Sequence, residues 1–156
     1  MNNILSGLVK INDVDIWDTY GVYLTEKKKG GRENLKAILK ASKVKAHTGV
    51  NIREENGRKY SSSLTVVNDE REVTLYFALV ADSTADWWQK YRSFINSVKQ
   101  GNKGWLNVTF TELNLTLRMF YLDCSDVEPL SDLWNNGQRK TASRFKIKFK
   151  EPIPIL

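Results

Sequence analysis

Residues 71–101 read REVTLYFALVADSTADWWQKYRSFINSVKQG, and this stretch decides the fold. Val73, Leu75, Phe77 and Leu79 alternate with Thr74, Tyr76 and Ala78, a period of two that puts one set on the core face of a strand. After Ser83 the period changes. Trp87, Trp88, Tyr91, Phe94, Ile95 and Val98 recur at helical spacing until Gly101, with Ser83 placed as the N-cap and Asp86 near the positive end of the helix dipole.

The chain on the C-terminal side reads mostly as strand. Residues 105–110 and 115–122 are two strands around a turn at 112–114. The polar stretch 125–140, with Pro129 and Asn136-Gly137, reads as a long loop. Residues 142–150 alternate Phe145, Ile147 and Phe149 with Arg144, Lys146, Lys148 and Lys150, and this strand ends at Glu151-Pro152 because proline cannot donate to a ladder.

On the N-terminal side, residues 8–11 and 20–25 read as short strands separated by Asn12-Asp13, with Gly21 marking a bulge or a close backbone approach. Gly30-Gly31 opens a Lys-rich segment in which Leu35, Ile38 and Leu39 share one helical face and Lys36, Lys40 and Lys43 follow a second: a short helix on a long loop. Residues 50–53 and 59–67 flank Asn56-Gly57, a dipeptide that supplies positive φ for a hairpin turn. No repeat and no linker divides the chain, so one domain over 1–156 is expected, mainly β (α+β) with one flanking amphipathic helix.

A chain of 156 residues can bury about two thirds of its unfolded surface without a disulfide or a metal. The 41% apolar and 27% charged content is that of a folded globular protein and excludes a disordered one. Residues 1–10 lack a basic segment followed by an apolar run, and nowhere do about 18 apolar residues follow one another, so neither an export signal nor a membrane span is expected. The net charge of +6 sits in one place. Lys27, Lys28, Lys29, Arg32, Lys36, Lys40, Lys43 and Lys45 stand against Glu26 and Glu33, while the rest of the chain is neutral. Basicity therefore describes a loop at about 26–48, which is either a solvated loop or an interaction arm docking on an acidic neighbour.

No catalytic set is visible. A zinc site needs several Cys or His ligands, and Cys124 and His47 are the only ones present; they read as a small buried hydrophobe and a solvated imidazole. No phosphate-binding glycine loop, nucleophile elbow or helical His-Glu-x-x-His occurs. Asp123, Asp126 and Glu128 lack the glycine and regular spacing of a calcium loop and read as a polar turn. Trp87 and Trp88 lie on the apolar stripe of the helix, which favours core or subunit contact over base stacking. Arg144, Lys146, Lys148 and Lys150 share one strand face at about 7 Å spacing. They are either a phosphate-contacting row or a solvated face protected from association by its charge. A small enzyme and a β-rich nucleic-acid-binding domain are the alternatives, and salt-sensitive DNA or RNA binding would mark the second.

Taken together, Asp18-Thr19-Tyr20-Gly21-Val22-Tyr23-Leu24, the long basic loop, the 73–80 strand leading into the 87–98 helix, the hairpin and the closing strand to Pro154 resemble the distal tail and tail-tube proteins of long-tailed bacteriophages. The likeness is one of order and spacing over most of the chain. It implies a β-sandwich or partly closed β-barrel with a flanking helix, and a hexameric ring that lines or ends the tube through which DNA passes. It also implies neighbouring tail proteins as partners, a place in the virion tail of phage or prophage for a protein made in the bacterial cytoplasm, and no cofactor. The basic loop matches the position of the family's extended loop, which contacts neighbouring subunits or the next ring. Longer distal tail proteins continue past the position of Pro152 into a second, carbohydrate-binding-like domain, so only the ring-forming domain is implied here.

Overall fold

The computed structural model describes residues 6–26, 30–135 and 138–156. Lys27, Lys28, Lys29 and the Asn136-Gly137 dipeptide of the expected loop lie outside them. The chain is mostly strand, curled into a half barrel, which is the partly closed form of the two β architectures expected.

The element that organises the sheet is β6 (Arg71–Ala81), whose residues alternate between buried and more open as far as Phe77. It pairs antiparallel along its whole length with β10 (Gln138–Glu151), from Thr141 opposite Ala81 to Glu151 opposite Arg71. The other edge of β10 is shared. β8 (Leu115–Ser125) takes the part near Lys146–Lys150, and β9 (Ser131–Asn135) the part near Gln138–Ala142. Beyond β8 come β7 (Leu106–Phe110), β1 (Val9–Ile11) and β2 (Val14–Asp15), while β3 (Val22–Leu24) closes the far side of β6. The stretch 125–140, expected to be a loop, instead carries the end of β8, all of β9 and the start of β10. Its polar composition belongs to an edge strand, which needs no apolar face on both sides.

Helix α3 (Thr84–Gln100) is capped as its sequence foretells: the Ser83 hydroxyl accepts from the Asp86 N–H at 3.1 Å. Its buried stripe of Trp87, Phe94 and Val98 lies on the inner face of the sheet, in one core with Leu75, Phe77, Phe145 and Phe149. Burying a side chain of this size stabilises by about 1.5–3 kcal/mol. The Trp87 indole N–H, which would be costly to bury alone, donates to the Leu79 carbonyl at 3.0 Å. Trp88, expected on the same stripe, is 56% exposed.

A short helix, α1 (Ile16–Tyr20), occupies the start of the region expected as strand. Asp15 caps it, accepting from the Trp17 N–H, and Gly21 ends it in the left-handed region at φ 69°. A Cβ at Gly21 would stand 2.7 Å from the Val80 carbonyl oxygen, so the close backbone approach is real. Gly21→Ala is expected to lower the free energy of unfolding, measured by denaturant titration, by about 1 kcal/mol or more, since both the positive φ and the contact oppose a methyl group.

In α2 (Glu33–Leu39) the buried positions are Asn34 and Ile38, while Leu35 and Leu39 face outward. The helix also stops before Lys43, so Lys36, Lys40 and Lys43 do not follow one helical face. Asn34 explains the difference: its amide donates to the carbonyls of Thr25 and Tyr76 and accepts from the Tyr76 N–H. A polar side chain stitched to the sheet edge sets which way the helix turns.

At β8 the register to β10 slips by one residue between Lys148 and Phe149, leaving Leu122 unpaired as a bulge. Both Tyr121 and Cys124 thereby pack against the core.

Candidate functional site

The row on β10 is not an open cationic face. Arg144 meets Glu128 with two bonds of 2.9 and 3.0 Å, Lys146 meets Asp126 at 3.0 Å, Lys148 meets Glu72 at 3.7 Å and Lys150 meets Glu70 at 3.0 Å. Lys140 at the near end pairs with Asp82. The hydrogen bond that Lys146 donates to Asp126 raises its pKa, and the one that Lys150 donates to Glu70 raises that of Lys150. Each cation of the row has a carboxylate from its own chain, and a phosphate would have to displace it. The expectation of a face guarded by like charge is corrected in the same way: the face is a ladder of opposite charges. The partners Glu70, Glu72, Asp126 and Glu128 are remote from β10 in sequence or lie in loops, so strand alternation alone could not reveal them.

The basic loop divides into parts. Arg32 is the N-cap of α2, Lys36 lies within that helix and Lys40 is its C-cap, while Lys43 and Lys45 stand at the start of an arm. The arm leaves and returns through a narrow root in which Asp69 N–H donates to the Lys43 carbonyl and Lys45 N–H to the Val67 carbonyl. No residue from 40 to 70 is buried. The hairpin expected around Asn56-Gly57 is present, but its strands are only β4 (Gly49–Val50) and β5 (Lys59–Tyr60). Residues 61–67, read from the sequence as strand, have no ladder partner. A two-stranded hairpin this short is marginal by itself in water, yet the arm exposes Val50, Tyr60, Leu64, Val66 and Val67.

The arm is tied down at its base. Arg71, with a side chain only 7% exposed, pairs with the 1% exposed Glu151 at 2.9 Å. It also donates to the carbonyl oxygens of Ile38 at 3.1 Å and of Lys40. The guanidinium thus binds the C-terminal carbonyls of α2, which have no partner within the helix. Glu151 Oε2 has no hydrogen-bond partner among the described residues.

Between β3, the first strand β1 and α2 lies an apolar groove of about 360 Å³. Its lining includes the buried Val9, Val22 and Ile38, the exposed Leu35 and Leu113, Leu24, and the charged Glu26, Glu112 and Arg32. Neither the arm nor this groove carries a motif in sequence. The available signal is that the stretch 59–67, read as strand, is longer than the 50–53 segment across the Asn56-Gly57 turn and so extends past its partner.

The remaining candidates are dispersed. Cys124 lies half-buried with its sulfur 3.4 Å from the Tyr91 hydroxyl, and burial pushes its thiol pKa up. It is therefore a poor nucleophile. His47 stands in the arm, Asp126 and Glu128 in their ion pairs. Among the described residues no group of three or more His, Cys, Asp or Glu is placed to hold a metal ion, and no helix is long and apolar enough to cross a membrane.

No family model matches the sequence, and no curated protein matches it. The fold, however, is similar to the crystal structure of SPP1 Dit (gp 19.1), described as a paradigm of the hub adsorption apparatus in phages infecting Gram-positive bacteria. The superposition has a TM-score of 0.54 at 12% identity and covers 90% of this chain and 49% of that one. The chain thus has a phage distal-tail-like fold and spans about half the length of that relative.

Proposed function

We propose that the protein is a structural, non-enzymatic component of a phage or prophage tail, which self-assembles into rings within the tail tube or at its distal end. The observation that carries this reading is the arm: a basic, weakly paired hairpin on a tail-hub-like fold that exposes Val50, Tyr60, Leu64, Val66 and Val67 and buries none of its own residues. Exposed apolar side chains on such a segment mark a surface that a neighbour would cover. Neighbouring tail proteins would be further partners. The ion-paired β10 row suits a wall past which DNA moves, with contact that is non-specific and weak because each cation is already matched.

Size-exclusion chromatography with light scattering, followed by electron microscopy, tests the proposal. Discrete rings near the hexameric mass are expected; a monomer at every concentration would overturn it. Lys36, Lys40 and Lys43 are all exposed, so changing the three to Glu should leave circular dichroism unaltered. The same change is expected to weaken assembly by about tenfold or more, because basic residues meeting an acidic neighbour set docking rate and register. Unchanged assembly would argue against a role for this charge.

A further inference from the structure

Two apolar features of the chain have no partner among the described residues. The first is the 64–67 segment of the arm, where Leu64 and Val66 are 48% and 64% exposed and would project to the same side once the segment is held as a strand. The second is the groove beside β3. Among the described residues β3 pairs only with β6. Thr25 N–H donates to the Tyr76 carbonyl, so antiparallel alternation turns the N–H and C=O of Leu24 away from β6, toward the groove side. This is a short free edge with an apolar floor next to it. The arm of the same chain contributes nothing to that lining.

We infer that Leu64–Val67 of one copy lies along the β3 edge of a second copy, with Leu64 and Val66 entering the groove between Leu24, Ile38 and Leu113. Charge supports the choice of a second copy. Between residues 41 and 68 the arm holds Lys43, Lys45, Arg53, Arg58 and Lys59 against Glu54 and Glu55, whereas the groove lining holds Glu26 and Glu112 against Arg32. Addition of an extended segment to a sheet edge takes its affinity from main-chain hydrogen bonds and its specificity from the alternate side chains. The contact is heterologous, arm to groove, and propagates from copy to copy as ring formation requires. The inference rests on the self-assembly reading above and names the surfaces that carry it.

The test uses two double variants of the full chain, both confined to exposed positions: Leu64→Asp with Val66→Asp in the arm, and Leu35→Asp with Leu113→Asp on the groove rim. Circular dichroism should match wild type. Each variant alone is expected to self-associate about tenfold to a hundredfold more weakly than wild type, given the apolar area each removes from the contact. An equimolar mixture should regain association as a dimer, because one copy keeps the arm and the other the groove. Wild-type assembly by either variant alone, or variants that fail to complement each other, would overturn the arm-to-groove contact while leaving self-assembly standing. A wild-type chain that never associates would overturn both. As a measurement independent of mass, Val66→Cys and Leu113→Cys, on separate chains in a Cys124→Ser background, should form a disulfide between copies on mixing and oxidation; none forming would also overturn the contact.

Discussion

Replacing Arg71 by alanine is expected to lower the free energy of unfolding by about 3–5 kcal/mol, the usual cost of removing one partner from a buried ion pair. The cost falls on Glu151. Its carboxylate is 1% exposed and one of its oxygens already lacks a partner among the described residues, so without the guanidinium the charge is left in a dry site. The truncation also frees the Ile38 and Lys40 carbonyls that Arg71 holds. Urea unfolding followed by tryptophan fluorescence would measure the loss. The double variant Arg71→Met with Glu151→Leu should recover most of it, because replacing both charges by apolar groups is often neutral. If Arg71→Ala lost less than about 1 kcal/mol, the pair would behave as a solvated surface bridge.

Phe94→Ala should cost a similar amount, about 3–5 kcal/mol, for a different reason. Phe94 is fully buried, and its ring stands 5.5 Å from Tyr20, 5.7 Å from Phe77 and 6.1 Å from Phe145 between centroids. It is the point at which α3 meets both α1 and the sheet. Deleting the ring removes the transfer free energy of a large side chain and opens a cavity whose walls belong to three elements that cannot all move inward. Phe94→Leu should cost much less, and Trp88→Ala, at a site 56% exposed, should stay within about 0.5 kcal/mol. For a domain whose total stability is on the order of 5–15 kcal/mol, the alanine variant would be near its limit at growth temperature. A loss for Trp88→Ala as large as for Phe94→Ala would mean that the helix presents a different face to the sheet.

Much of the frame was legible because it repeats. Val73 to Leu79 and Phe145 to Phe149 each state a period of two several times over, and Trp87 to Val98 states a helical one. The signal fails where an element is short or where its partner is remote. Helix α1 spans Ile16–Tyr20, barely more than one turn, and no hydrophobic period can be established in that length. β9 spans Ser131–Asn135 on the edge of β10 and needs no continuous apolar face. In α2 the pattern misleads, since Leu35 and Leu39 resemble a core face while the hydrogen bonds of Asn34 turn the helix elsewhere. The candidate site was less legible than the fold. Arg71 and Glu151, like Glu70 and Lys150, are 80 residues apart, and their pairing depends on the β6–β10 register. Charge alone places the interaction segment at 26–48. In the structure, exposure continues to residue 70 with an apolar content that charge counting does not register.

The bulge at Leu122 also bears on where this chain can change length. Asp123 and Tyr121 pair with consecutive residues of β10 while Leu122 pairs with none. Removing Leu122 would shorten β8 by one residue yet leave its neighbours on the faces they now occupy. Removing a residue within β6 or β10 would instead carry the remainder of that strand to the opposite face. The fold is therefore expected to accept insertions and deletions at the bulge and in the arm on the Lys43 side of Leu64, and to resist them along the long central pair of strands.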